Sequence, residues 1–265
     1  MIGVFDSGLG GLSVLSAIVR ASPGADLVYL ADTAHLPYGN KSDEFICARV
    51  LAIGRYLAER GASSLVVACN TATAAALSAL REQHPGIPVI GVEPGVKPAA
   101  AASRSGMIAV LATESTASSQ RLSALIRAHA GGVVVHVEAC PGWATRVETL
   151  QPIDRDSDPV FAAEVAAKIS PLLDAGIDRL VLGCTHYSFL APLIDSLIAG
   201  RAELVDVADA VARQVLRQSG RNESGSGRLE LLSTATPARL DAALPALGLG
   251  WLADRVERPT VLAQI

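Results

Sequence analysis

Two cysteines stand in the same local setting at widely separated places in the chain. Each ends an apolar, strand-like run and is followed at once by small polar residues: Leu65-Val66-Val67-Ala68-Cys69-Asn70-Thr71, and Leu180-Val181-Leu182-Gly183-Cys184-Thr185-His186. A thiol at a strand's carboxyl end, with a helix opening just beyond it, lies near free backbone N–H groups and the positive end of a helix dipole, which favour thiolate. Such a group works as a base or as a nucleophile. A free cysteine is otherwise a small buried hydrophobe, and Cys47, inside an amphipathic stretch, reads that way. Cys140 precedes a proline at a strand end, lacks the polar pair, and is read as structural too.

Two chemistries use such thiols. As a nucleophile, one cysteine needs a histidine base and an oxyanion hole. His186 lies two residues after Cys184 and would face the same side on an extended segment, as in a thiol protease or acyltransferase, but Cys69 then has no task. The other chemistry is proton transfer at carbon. Inverting a stereocentre without redox chemistry needs a base on one face and a conjugate acid on the other, and two thiols on opposite walls meet that need. A thiol's ordinary pKa of about 8.5, lowered by N–H groups or cations, makes exchange near neutral pH accessible. Asp6 and His186 are local companions for the sulfurs. Glu148, in Pro141-Gly142-Trp143-Ala144-Thr145-Arg146-Val147-Glu148, is a third candidate, although taken alone it reads as a solvated helix carboxylate.

Two further polar clusters follow strands. Phe5-Asp6-Ser7-Gly8-Leu9-Gly10-Gly11 has the glycines of a phosphate loop but the wrong spacing, with Ser13 where a third glycine would stand and no Lys-Ser/Thr behind it. What remains is a carboxylate and a hydroxyl leading into a helix start able to receive an anion, or a tight turn with Asp6 as its cap. The loop from Asp32 to Ser42 is long enough to reach over a pocket. Its Tyr38-Gly39 step offers backbone amides and a phenol; the alternative is a surface loop turned by Pro37 and Gly39, with His35 on its surface.

The elements that would position these residues alternate short β-rich runs with longer Ala/Leu-rich stretches of helical spacing, which is the α/β pattern of parallel sheets covered by helices. Strands are expected at 2–5, 27–30, 64–68, 89–92, 107–111, 133–137, 179–182, 203–207 and 229–232, and helices at 12–21, 42–60, 73–83, 116–130, 160–173 and 188–199. Glu93-Pro94-Gly95-Val96-Lys97-Pro98 breaks the rhythm, and a second break precedes Glu203. The expected domains are therefore 1–97 plus 205–265, carrying Cys69, and 98–204, carrying Cys184. The polar Gly/Ser-rich stretch 221–227 reads as a mobile loop.

Composition narrows the classes. Half of the 265 residues are apolar, in runs that fall short of the roughly 18 a membrane span needs. No basic, apolar leader opens the sequence, so a cytoplasmic location is expected. Four cysteines without C-x-x-C, and five scattered histidines, point away from disulfides and metal sites. A net charge of −4 with dispersed lysines and arginines leaves no footprint for nucleic acid.

These residues in this order resemble the bacterial glutamate racemases, the cofactor-independent members of the aspartate/glutamate racemase superfamily. The resemblance rests on Phe5-Asp6-Ser7-Gly8-Leu9-Gly10-Gly11, Asp32-Thr33-Ala34 with Pro37-Tyr38-Gly39, Ala68-Cys69-Asn70-Thr71-Ala72, Pro88-Val89-Ile90-Gly91-Val92 and Leu182-Gly183-Cys184-Thr185-His186-Tyr187, and it spans nearly the whole chain. It implies two related α/β lobes with mainly parallel sheets and an active site in the cleft between them. It further implies racemisation of glutamate without a cofactor, for peptidoglycan synthesis. Cys69 would exchange the α-proton of the D enantiomer with help from Asp6, and Cys184 that of the L enantiomer with help from Glu148 and His186. Asp6, Ser7, Tyr38, Gly39, Asn70, Thr71, Thr185 and His186 fall on substrate-contact positions of that family. A homodimer is left open. A restraint of DNA gyrase is reported for some members, but the basic patch or appended segment that would favour it is not visible. A relative acting on aspartate or a hydantoin is the other enzyme reading. The chain departs from the family pattern at His35, where arginine is usual, at Ser115, where glycine is usual, and at Gln120-Arg121, where an aromatic residue is expected; the segment 229–236 matches only loosely.

Overall fold

A computed structural model describes residues 1–219 and 225–265. The chain divides into two compact units, Met1–Val92 with Ala208–Ile265, and Glu93–Val207. In chain order the elements are β1 (Ile2–Asp6), α1 (Leu12–Ala21), β2 (Leu27–Ala31), α2 (Asp43–Glu59), β3 (Ser64–Val67), α3 (Asn70–Gln83), β4 (Val89–Gly91), α4 (Val96–Ala102), β5 (Met107–Ala112), α5 (Glu114–Ser118), α6 (Gln120–His129), β6 (Val134–Ala139), α7 (Trp143–Glu148), α8 (Pro159–Asp174), β7 (Arg179–Leu182), α9 (Ala191–Ile198), β8 (Glu203–Val205), α10 (Ala208–Gln218), β9 (Leu229–Ser233), α11 (Pro237–Ala246) and β10 (Val261–Leu262). Short 3-10 turns cover Tyr38–Asn40, Thr185–Leu190 and Gly250–Arg255.

The first unit holds a six-stranded sheet in the order β10-β9-β2-β1-β3-β4, and the second a four-stranded sheet in the order β6-β5-β7-β8. Every pairing is parallel. β1, β2 and β3 are buried along their whole length, as continuous apolar strands must be when helices cover both faces of a sheet. Right-handed crossovers place α1 on one face and α2 and α3 on the other, and α1 packs against α10 while α2 packs against α3.

The same topology occurs twice. β2-β1-β3-β4 and β6-β5-β7-β8 each place the second strand of the unit on one side of the first and the third on the other. The reversal opens a crevice at the carboxyl ends of the first and third strands, which is where open α/β sheets bind ligands. Asp6 ends β1, and Cys69 stands two residues beyond β3; Cys184 stands two residues beyond β7.

Several expected elements changed. The expected helix 116–130 is two helices, because Ser119 is extended and its hydroxyl accepts the Leu122 N–H at 3.1 Å, capping α6 where α5 stops. The expected helix 73–83 begins earlier, at Asn70. The stretch 188–199 opens with the 3-10 turn and becomes α-helical only at Ala191. Glu93–Pro98 looked like a linker but leads into α4, whose first turn contains Pro98, a position where a missing N–H costs no intrahelical bond. α7, α10, α11 and β10 were not expected. Of the stretch 221–227, residues 221–224 lie outside the described residues, whereas Ser226 donates from its backbone N–H (2.9 Å) and hydroxyl (2.8 Å) to Asp26. Among the described residues no helix is long and apolar enough to cross a membrane, and no group of three His, Cys, Asp or Glu is arranged to hold a metal ion.

Candidate active site

In the first unit the site begins where β1 ends. Asp6 is buried; its Oδ2 accepts the Gly11 N–H at 2.7 Å, and Ser7 Oγ donates to its Oδ1 at 3.3 Å. Asp6 thus closes the strand-to-helix turn and still presents Ser7 towards the third strand. There Ser7 Oγ lies 3.8 Å from Cys69 Sγ. Cys69 is extended (φ −138°, ψ 122°) and occupies the N-cap of α3, the position usually held by Ser, Thr, Asp or Asn. Its sulfur accepts the Ala72 N–H at 3.5 Å. A thiol in this position is aimed at the positive end of a 14-residue helix, which lowers the cost of its ionised form. Asn70 and Thr71 form the buried first turn, and Asn70 Nδ2 donates to Val92 O at 3.4 Å.

The loop after β2 supplies Tyr38 and Gly39 in a 3-10 turn. The Tyr38 phenol was expected to be open to a ligand, but its proton is donated to Asp32 Oδ2 at 2.7 Å. Asp32 is fully buried and accepts five donors in all: Arg49 Nε (3.1 Å) and Nη2 (2.9 Å), Tyr38 Oη, Thr234 Oγ1 (2.9 Å) and His35 Nδ1 (3.0 Å). Burial would raise this carboxyl; the Arg49 fork, then the Tyr38 hydroxyl and His35, outweigh it and hold Asp32 below the usual carboxylate value. His35 is therefore tied inward and is not simple loop surface. Sequence reasoning missed Asp32 and Arg49 as a pair, since nothing in their 17-residue separation marks them as neighbours.

In the second unit Cys184 repeats the backbone of Cys69, with φ −143° and ψ 134° at the start of the 3-10 turn. The segment beyond it is turned, not extended as the nucleophile reading assumed, and that turn carries His186 back towards the sulfur, with Sγ to Nδ1 3.7 Å. The other ring nitrogen, Nε2, is 2.7 Å from Glu148 Oε1. Glu148 is thus buried and paired, not a solvated carboxylate. α7 brings it there: Trp143, with no exposed surface, meets Tyr187 edge-on at 5.4 Å, and the Tyr187 hydroxyl donates to Cys140 O at 3.1 Å. Six residues are too few for helical periodicity to reveal α7. Burial alone would depress His186, but the Cys184 sulfur and the Glu148 carboxylate overcome it and hold the imidazole well above its ordinary value. Thr185 is buried beside them.

Gly183 is required here. A Cβ on it would lie 2.7 Å from the Leu111 carbonyl oxygen of the neighbouring strand, the same oxygen that accepts the Gly183 N–H at 2.7 Å. Cys47 is half-buried against the apolar cluster that holds Cys69, and Cys140 lies near the Cys184 group, its carbonyl accepting the Tyr187 hydroxyl. Cys140 is buried, and burial, reinforced by Glu138, pushes its thiol up to about 12, far from a useful acid or base. Ser115, where the family pattern has glycine, lies in the five-residue α5.

Each unit therefore presents a thiol at the carboxyl end of its third strand. One lies beside fixed N–H dipoles and a Ser7–Asp6 pair, the other beside an imidazole and a carboxylate.

Comparison with known proteins gives the family and the fold. The Asp/Glu/hydantoin racemase family model matches residues 2–215. The glutamate racemase of Pseudomonas aeruginosa is 45% identical over 250 residues, covering 93% of each chain. Among solved structures, Escherichia coli glutamate racemase in complex with L-glutamate and the activator UDP-MurNAc-Ala superposes with a TM-score of 0.85 at 30% identity, covering 100% of this chain and 99% of that one. Glutamate racemase from Thermus thermophilus, in complex with beta-chloro-D-alanine, gives a TM-score of 0.80 at 34% identity and covers 100% and 96%.

Proposed function

The chain belongs to the Asp/Glu/hydantoin racemase family, and from that premise we propose that it interconverts L- and D-glutamate by proton transfer at Cα, supplying D-glutamate for peptidoglycan synthesis. The observation that carries the mechanism is the matched pair of thiols, each in the same backbone conformation two residues beyond the third strand of its unit. Relatives named glutamate racemase match 93% of the chain, the Pseudomonas aeruginosa enzyme at 45% identity, which favours glutamate over the other substrates in the family's name.

In the L-to-D direction the Cys184 thiolate removes the α-proton, and the Cys69 thiol gives its proton to the opposite face of the resulting carbanion. In the D-to-L direction the roles exchange, and one proton is taken up for each released. An imidazolium at His186, held by Glu148, places a positive charge beside the Cys184 sulfur when that sulfur is the base. At Cys69 the Ala72 N–H stabilises negative charge, and Ser7 links the sulfur to the Asp6 carboxylate. Ser7, Asn70, Thr71, Thr185 and His186 receive the substrate's polar groups, and the N-terminus of α3 accepts a carboxylate. Tyr38 and Gly39 contribute through their backbone turn, because the phenol's proton is committed to Asp32. The thiols supply both proton transfers, with no pyridoxal group in the scheme.

The test is isotope exchange. The purified protein, free of pyridoxal phosphate, is expected to incorporate solvent deuterium at Cα of both glutamate enantiomers and to bring either to the racemate, with aspartate run alongside. No incorporation would sink the proposal; faster exchange on aspartate would change the substrate.

A further inference from the structure

We propose that Arg49 is a positioning residue for the Cys69 half of the site, fixing Tyr38 and the Tyr38–Gly39 step beside that sulfur by way of Asp32. The inference rests on the proposed role of Cys69 and concerns a residue in the middle of α2, outside every motif that carried the resemblance.

The geometry is a relay of direct contacts. Arg49 grips Asp32 with two nitrogens, Nε to Oδ2 at 3.1 Å and Nη2 to Oδ1 at 2.9 Å, while Nη1 donates to the Ile265 carbonyl at 3.1 Å. Asp32 has no exposed surface, so an ionised carboxylate there needs a compensating cation. The groups facing it are Arg49 from α2, Tyr38 and His35 from its own loop, and Thr234 just beyond β9. His35 is 32% exposed and charged only when protonated. Arg49 is the permanent charge, and its planar fork matches the carboxylate. Asp32 in turn accepts the Tyr38 proton at 2.7 Å. Tyr38 packs in the same apolar cluster as Cys69, and its hydroxyl is held well above its ordinary value by burial, then by Asp32, with the Cys69 sulfur adding to the effect. The phenol therefore remains a neutral donor whose direction is set by Asp32.

Without the guanidinium, Asp32 is a buried carboxylate with no permanent cation beside it, only the neutral Tyr38 and Thr234 hydroxyls and a histidine that is charged only when protonated. It takes up a proton at higher pH than before, and protonation turns one of the two acceptor oxygens into a donor, so the Tyr38 hydrogen bond is weakened or reversed. The 3-10 turn carrying Tyr38 and Gly39 then loses its anchor.

The experiment compares Arg49→Met, Arg49→Lys and the double variant Asp32→Asn/Arg49→Met with wild type, by KM, kcat and the pH profile of kcat/KM for both glutamate enantiomers, with thermal melts as a check on folding. Arg49→Met is expected to raise KM about tenfold with a smaller change in kcat, and to move the acid limb of the profile to higher pH. Arg49→Lys keeps the charge without the fork and is expected to fall between it and wild type. The double variant, whose amide accepts from Tyr38 without a stranded charge, is expected to restore the acid limb and recover most of the lost KM. If Arg49→Met does not fold, the lysine and double variants decide by the same readouts. Wild-type KM and pH profile in all folded variants, with only melting temperatures changed, would overturn the inference. Absence of exchange by the wild-type protein would overturn it together with the proposed reaction, whereas active wild type with unaffected variants would overturn it alone.

Discussion

Cys69 and Cys184 have nearly the same φ and ψ, yet different groups surround their sulfurs. At Cys69 the support is a helix N–H and a serine hydroxyl, neither of which titrates near neutral pH. At Cys184 it is His186, whose proton is held by Glu148 and by the sulfur. Replacing either cysteine with alanine is expected to abolish net racemisation, because inversion needs both faces served. The remaining thiol should still exchange the proton on its own side, so Cys69→Ala is expected to wash deuterium into L-glutamate without forming D-glutamate; full racemisation by either variant would remove the mechanism. The imidazole also makes a prediction in stability. A His186 pKa raised in the folded chain gives stabilisation that is complete below the unfolded value of about 6.5 and is lost as pH rises through the folded value. Glu148→Gln breaks this buried pair and should cost about 3 kcal/mol near pH 6. The cost should shrink towards alkaline pH. Urea unfolding across that range measures it, and a penalty that grew with pH would place a neutral imidazole at this position.

Elements differ in how much of themselves they show in sequence. The buried strands β1, β2, β3, β5 and β7 were legible because a parallel strand covered on both faces is a short continuous apolar run, and the residues following them were legible with them. Helix starts were less so: Cys69 was recognised as a strand-end thiol, but its place as the N-cap of α3 depended on whether Asn70 and Thr71 were loop or helix. Glu148 was misjudged in isolation because its burial comes from α7 docking through Trp143 onto Tyr187, 44 residues further on, a contact that no local period records. Asp32 and Arg49 were missed for the same reason. The close approach of β7 to β5 provides a test at this scale. Gly183→Ala places a methyl against the Leu111 carbonyl, and the backbone just before Cys184 must move. A shift of about 1 Å at a reacting group costs on the order of 100-fold in rate, so kcat is expected to fall by about that factor, with deuterium wash-in to L-glutamate affected more than wash-in to D-glutamate. Equal loss on both sides, or none, would show that the glycine does not set the position of Cys184.

At the scale of the whole molecule the chain repeats one strand order, 2-1-3-4, and places the second unit between the segments that make up the first. The repeat explains why two cysteines share a setting: each follows the third strand of its unit, beside the crevice that the strand reversal opens. It was only half visible in sequence, since β9 and β10, with α11 between them, enlarge the first unit with no counterpart in the second, and α11, which contains Pro245, lacked a helical signature. If one glutamate is the substrate of both thiols, a ligand must be felt by both units at once. At 100 times its Kd a ligand that binds only the folded state adds about 2.7 kcal/mol of stability. D-glutamate is therefore expected to raise the unfolding midpoint and to slow amide hydrogen exchange both in the turn that opens α1 and in Thr185–Leu190, although these segments belong to different units. L-glutamate should do the same, and the Cys69→Ala variant, which keeps the substrate-contact residues, should show the same paired protection. Protection confined to one unit with both enantiomers would mean that the two thiols do not share a substrate, and the matched half-sites would then need separate explanations.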